Sequence, residues 1–192
     1  MKKILVLNGS PKNDGFASAL SQHYAAAAGE AGFPVTQVNL RELEFDPNLA
    51  AGYDAIMPLE PDLLRLQQQV LAADHLVFAY PVWWGSVPAL MKGVLDRILL
   101  PGFAFRFEEG ASFPQQLLAG KTARLLVTMD TPPWYYKWVY GAPSHKMMKK
   151  TVLEFCGVKP VKISEFGPIV KSTHDVRRRW LQQTLQLAAT GG

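Results

Sequence analysis

Short unbroken apolar runs alternate along this chain with longer amphipathic or alanine-rich stretches. Ile4-Leu5-Val6-Leu7, bounded by Asn8-Gly9, has no polar alternation, the pattern of a strand covered on both faces. Phe16 to Ala31 is alanine-rich and ends near Gly32, which predicts a helix. Pro34 to Leu40 reads as a second strand. Pro61 to Ala73 places Leu63, Leu66, Val70 and Ala73 at helical spacing, and Leu76-Val77-Phe78-Ala79 is a third strand. A helix over Pro88 to Leu100 and a strand over Lys121 to Met129 follow. Next comes a helix from Ser144, expected as its N-cap, to Phe155, stopped by Gly157. Val158 to Phe166 is the fifth strand. Ser172-x-x-Asp175 resembles a capping box opening a last helix to about Ala189, and Thr190-Gly191-Gly192 is expected to be mobile. Strands alternating with helices predict an α/β fold, a five-stranded parallel sheet with helices on both faces, as a single domain over residues 1–192. Ligands of such sheets bind beyond the carboxyl ends of the strands, so the loops after the first, third and fourth strands carry the interest.

Composition narrows this picture only modestly. The chain has 192 residues and a net charge of +4, too little to argue for nucleic acid and compatible with a phosphate-bearing cofactor. Its single cysteine, Cys156 in an apolar context, allows no internal disulfide and reads as a core residue. The apolar run after Lys2-Lys3 is shorter than a signal-peptide core, and no stretch reaches membrane-spanning length. A cytoplasmic protein without stable membrane insertion is expected. The four histidines are scattered, so no metal site is expected.

The first loop, Asn8 to Ser18, is neither a GxGxxG fingerprint nor a P-loop. It is rich in small and hydroxyl residues and opens a helix amino terminus. Ser10, Ser18 and Lys12 there suit a phosphate, or the loop is an ordinary capped turn. The second, Pro81-Val82-Trp83-Trp84-Gly85-Ser86-Val87-Pro88, puts two adjacent tryptophans on one strand end. They form a wall beside a planar ring, or they plug a core or an oligomer interface. The third, Asp130 to Gly141, holds five aromatics between Trp134 and Tyr140, which line a pocket or meet a partner subunit. Arg177-Arg178-Arg179 is a solvated face or a site for a phosphate. Lys92 and Asp96-Arg97 are expected on a helix at a subunit contact, and His75 at the surface or strand edge.

The segment YPVWWGSVPALMKGVLDRILLPGFAF, Tyr80 to Phe105, resembles the signature of the flavodoxin-like NAD(P)H:quinone oxidoreductases. That family includes the mammalian quinone reductases and small bacterial potassium-efflux accessory and drug-activity modulator proteins. Asn8-Gly9-Ser10-Pro11, Phe45-Asp46-Pro47 and Ala73-Asp74-His75-Leu76-Val77 stand in family order. The resemblance implies a flavodoxin-like three-layer sandwich with strand order 2-1-3-4-5. It implies that Ser10, Phe16 and Ser18 hold a flavin phosphate, and that Pro81, Val82, Trp83, Trp84 and Gly85 hold the isoalloxazine. Thr128 and Asp130 fall where the family carries a Thr-Thr-Gly-Gly loop; here Asp130-Thr131-Pro132-Pro133 removes two N–H donors and adds a carboxylate. Tyr140 and His145 correspond to the family's substrate-side Tyr/His pair.

The implied activity is two-electron transfer from NADPH or NADH, through FMN or alternatively FAD, to a quinone-like acceptor by a ping-pong mechanism, in a homodimer. Three other functions share these features: an electron-transfer flavodoxin, a flavin-binding regulatory subunit of a membrane transporter, and a flavin-free interaction module. The basic charge and second aromatic loop stand against the first.

Overall fold

The computed structural model describes residues 1–55, 57–110 and 113–192. Its elements are β1 (Ile4–Asn8), α1 (Phe16–Glu30), β2 (Val35–Asn39), α2 (Pro61–Ala72), β3 (His75–Pro81), α3 (Ala89–Ile98), β4 (Phe105–Arg106), β5 (Gln115–Gln116), β6 (Thr122–Thr128), α4 (Pro133–Trp138), α5 (Pro143–Lys146), β7 (Val161–Phe166) and α6 (His174–Ala189). The main sheet is five-stranded in the order β2-β1-β3-β6-β7, and every pairing in it is parallel. With the short antiparallel ribbon β4–β5 set aside, this is the expected order. Two residues per strand are too few for a sequence pattern to reveal that ribbon.

Burial on both faces explains the unbroken apolar runs. Leu5, Leu7, Leu76, Phe78 and Leu125 belong to the core cluster that includes α2 and α3 residues. Ile4, Val6, Val77, Ala79 and Leu126 instead join Leu20, Tyr24 and Ala28 of α1 and Ala188 of α6. Successive strand residues thus enter opposite layers, so both parities are mostly apolar.

Several local expectations are corrected. Ser144 does not cap its helix. Ala142, at φ 48°, precedes Pro143, and Ser144 sits inside α5, which continues as a π-helix over Met147–Glu154. The last helix is capped by Thr173, whose hydroxyl accepts from Val176 N, while Ser172 Oγ donates to Ile169 O. Pro132 and Pro133 open α4 inside what reads as a loop. Residues 190–192 are not simply a free tail, because Gly191 is buried and its carbonyl accepts from Lys2 Nζ at 2.8 Å.

His75 is buried rather than at the surface, because β3 is the central strand and its first residue is covered from both sides. Arg97 is fully buried, not at a surface contact. It pairs with Glu60 at 2.9 Å, donates to Pro58 O at 3.0 Å and also bonds Asp46 O. Burial opposes ionisation of Glu60, but backbone hydrogen bonds and the guanidinium outweigh it and hold the carboxyl below its usual range. Gly93, one turn earlier on α3, lets Pro47 approach; a Cβ there would lie 2.6 Å from Pro47 Cβ. The Phe45-Asp46-Pro47 loop is therefore locked onto α3, which follows the tryptophan loop.

Candidate functional site

The carboxyl ends of β1, β3 and β6 converge on two clefts. One, of about 360 Å³, runs from Ser10, Gly15 and Phe16 past Pro81, Trp83 and Thr128 to Val170 and Arg177. The other, of about 510 Å³, is lined by Trp84, Gly85, Thr131, Tyr136, Tyr140 and Pro143. Val82, Met129 and Asp130 line both, so the two form one continuous groove.

At its first end, the groove meets the amino terminus of α1. Gly15 occupies the N-cap in extended conformation with no side-chain cap, and the first turn holds no acidic residue. A Cβ at Gly15 would lie 3.1 Å from Ser10 Oγ, so only glycine lets the loop close this tightly without a shift. The loop is shaped from within. Asn8 Nδ2 donates to Ser18 Oγ and to Asn39 Oδ1, both at 3.1 Å, and Ser18 Oγ donates to Lys12 O at 2.7 Å. Ser18 is buried and lines neither cleft; its hydroxyl hydrogen is committed to the loop. Unclaimed first-turn N–H groups and the helix dipole fit a phosphate. Arg177 lies at the same end, with Nε donating to Ser172 Oγ at 2.8 Å and Nη2 to Ile169 O at 3.0 Å. Of the three arginines, it is the one lining the cleft; Arg178 and Arg179 are exposed.

The tryptophan loop is a two-residue turn. Trp83 N donates to Ser86 O at 3.0 Å and Ser86 N returns a bond to Trp83 O at 2.9 Å. Its central residues, Trp84 (φ 49°) and Gly85 (φ 75°), both have positive φ, the type I′ pattern. Trp84 is the unusual member, since a bulky residue is costly there. The turn aims its indole fully into solvent at the groove mouth, while Trp83 stays 45% exposed on the first cleft. They do not share a wall; the turn sends them to different clefts.

Hydrogen bonds hold this turn from below. Tyr136 OH donates to Gly85 O at 2.9 Å and accepts from Ser144 N at 3.0 Å, and Tyr80 OH meets Ser144 Oγ at 3.1 Å. Burial raises the pKa of both tyrosines and keeps their hydroxyls protonated. The sequence singles out neither Tyr80 nor Ser144 as a site residue, and offers Tyr136 only as one of five aromatics that line a pocket or meet a partner. The signal for Tyr136 lies in the helix that Pro132-Pro133 open. Within it, Trp134 and Trp138 sit one turn apart facing out, which turns Tyr136 inward.

Tyr140 is exposed on the second cleft. His145 lines neither cleft. It is buried edge-on to Tyr136, ring centroids 5.2 Å apart, and Glu165 Oε1 lies 3.5 Å from its Nδ1. That carboxylate would favour imidazolium, but burial outweighs it, raising Glu165 and pushing His145 down to about 4. The imidazole is neutral at pH 7. Asp130 Oδ1 accepts from Val170 N at 2.8 Å, which places a carboxylate where the two clefts meet. Cys156 is buried, with its thiol pushed up to about 11 by burial, and lies away from the groove. Among the described residues no group of three or more His, Cys, Asp or Glu could hold a metal, and no helix is long and apolar enough to cross a membrane.

A groove with an unpaired helix amino terminus at one end and an aromatic, hydrogen-bonded turn at the other fits a flat ring carrying a phosphate tail. The fold itself is shared with known proteins. The model of the flavodoxin-like fold family matches residues 2–187. A Haemophilus influenzae protein described as an uncharacterized NAD(P)H oxidoreductase is 28% identical over 178 residues, covering 89% of this chain and 86% of that protein. The NAD(P)H:quinone oxidoreductase of Methanothermobacter marburgensis superposes with a TM-score of 0.84 at 22% identity, covering 100% of this chain and 99% of that one. An FMN-dependent NADH-azoreductase from Bacillus anthracis, solved in complex with FMN, gives a TM-score of 0.76 at 18% identity, covering 99% of each chain.

Proposed function

Because the chain belongs to the flavodoxin-like fold family, we propose that it is a flavin-dependent NAD(P)H:quinone oxidoreductase. The observation that carries this reading is the single groove joining the uncapped α1 terminus to the Trp83–Ser86 turn. Bound there, a flavin would accept hydride from NADPH or NADH and return two electrons to a quinone-like acceptor. FMN is favoured over FAD by the FMN that the Bacillus anthracis protein of the same fold holds.

In this assignment the free N–H groups of α1, with Ser10, Phe16 and Arg177, hold the phosphate. Ser18 acts indirectly, fixing the loop through Lys12 O. Pro81, Val82, Trp83, Thr128 and Asp130 flank the ring, with Trp84 and Gly85 at its outer edge. Tyr140 lines the acceptor cleft and would donate a proton to a reduced quinone oxygen. His145 acts through Tyr136, as a neutral packing partner that keeps the turn in place. We assign the protein to the cytoplasm as a homodimer. A second copy would meet the cleft of Tyr53, Phe105, Phe107 and Phe155, whose neighbouring charges Lys92 and Asp96 already pair at 2.7 Å.

One acceptor cleft serving the nicotinamide and the quinone in turn demands ping-pong kinetics. Initial rates at several fixed quinone concentrations are expected to give parallel double-reciprocal lines; intersecting lines would overturn the shared cleft.

A further inference from the structure

Beside the groove mouth lies a surface that the proposed reaction does not use. Trp134 and Trp138 of α4 are 64% and 77% exposed, and Val139 follows at 56%. The cluster is continuous. Trp134 meets Tyr135 edge-on with ring centroids 5.5 Å apart, and Tyr135 meets Tyr140 at 5.1 Å. Tyr140 in turn lines the acceptor cleft with Trp84. Lys137 Nζ sits 5.3 Å from the centre of the Trp138 ring.

Within the segment itself the charge has one sign, and the carboxylates beside it are Asp130, in the cleft with Tyr140, and Glu165, which Lys137 reaches electrostatically. Residues 131–153 contain four lysines, Lys137, Lys146, Lys149 and Lys150, and no aspartate or glutamate. Lys149 has a carboxylate nearby, Glu154 at 3.9 Å, and Lys137 acts on Glu165; Lys137, Lys146 and Lys150 are all exposed. Exposed indoles flanked by flexible ammonium groups match one kind of surface especially well. Tryptophan and tyrosine settle at the headgroup level of a bilayer, and lysines beside them are drawn to anionic lipid. A second copy fits poorly, because a two-fold contact through α4 would bring the same lysines face to face.

We propose that the exposed face of α4, with Val139, forms a peripheral docking surface for an anionic phospholipid bilayer, binding reversibly and without spanning it. Docked this way, the chain turns its acceptor cleft toward the membrane, where long-tailed quinones are dissolved. That consequence rests on the proposed function; the docking itself rests on the aromatic and basic surface alone.

The test is co-sedimentation of the flavin-loaded full chain with phosphatidylcholine vesicles, with and without phosphatidylglycerol. Partition onto the anionic vesicles is expected to exceed that onto neutral ones at least tenfold and to weaken as salt is raised. The double variant Trp134→Ser/Trp138→Ser is expected to lose at least tenfold in partition while keeping its flavin and its activity on a short-chain soluble quinone. Absence of wild-type binding to anionic vesicles, or undiminished binding by the variant, would overturn the proposal. A variant that dissociates from dimer to monomer would overturn it too, by showing that a second copy covers α4. The vesicle readout involves no flavin chemistry. A chain that binds vesicles but no flavin would sink the functional assignment and leave the docking surface standing.

Discussion

Tyr136 links three segments that are distant in the chain. Its hydroxyl donates to Gly85 O in the tryptophan turn and accepts from Ser144 N in α5. Tyr136→Phe removes one oxygen and leaves a carbonyl and an N–H without partners, a loss of about 1–3 kcal/mol for each buried group. The turn holding Trp83 should loosen, and FMN affinity should fall about tenfold with the fold intact, as read by fluorescence quenching on titration. Asp130 is the residue through which this chain departs from the pattern it resembles. Its carboxylate stands where the clefts meet, and a reduced ring bound there would meet its charge. Asp130→Asn should make the reduced ring about tenfold easier to hold relative to the oxidised one, raising the two-electron midpoint potential by about 30 mV. A redox titration with a reference dye reads this; a potential unchanged or lowered would place the carboxylate away from the ring. The groups that come together from distant segments were the least legible in sequence. Tyr135, Tyr136 and Tyr140 look equivalent in the string WYYKWVY, and only the helix begun by Pro133 turns Tyr136 inward.

At the scale of elements, α3 is held in place by an arginine. Arg97 ties α3 to Glu60 at the start of α2 and to the carbonyls of Asp46 and Pro58. Arg97→Ala leaves the Glu60 carboxylate and two carbonyls short of a partner, and should destabilise the protein by about 3–5 kcal/mol. Urea unfolding with an unchanged m-value is the measurement, and Arg97→Met, which keeps the packing, should lose less. The strands and long helices could be read from the chain because both periodicities are strong in this fold, and a parallel sheet buried on both faces leaves apolar runs that mark themselves. Arg97 could not be read in this way. An Asp-Arg pair at a helix end looks like surface charge until Gly93, one turn back, is seen to admit Pro47 and close the loop over it. The cap of the last helix lies one residue on, at Thr173 rather than Ser172, because adjacent hydroxyls offer equal signals and backbone dihedrals decide between them.

For the whole molecule, two buried histidines couple stability to pH. His75 is pushed down to about 4 by burial and then by the charges of Lys2, Arg124 and Lys162; His145 is pushed to about 4 by burial. Each folded-state value lies below the unfolded one of about 6.5, so the unfolded chain binds more protons between about pH 6.5 and 4. Stability should therefore rise with pH through that window and be lost as pH falls, by roughly 3 kcal/mol for each imidazole. Thermal unfolding between pH 7 and pH 4 should show a steep acid limb. His75→Gln and His145→Gln should each flatten it, even where they lower stability at pH 7.

The proposed chemistry centres on one groove at the carboxyl ends of β1, β3 and β6. Its most direct test is anaerobic mixing of the flavin-loaded protein with NADPH or NADH while visible absorbance is followed. The oxidised-flavin band is expected to bleach with one reductant equivalent and to return on adding one equivalent of quinone. A protein that retains no flavin, or whose bound flavin neither nicotinamide bleaches, would contradict the account.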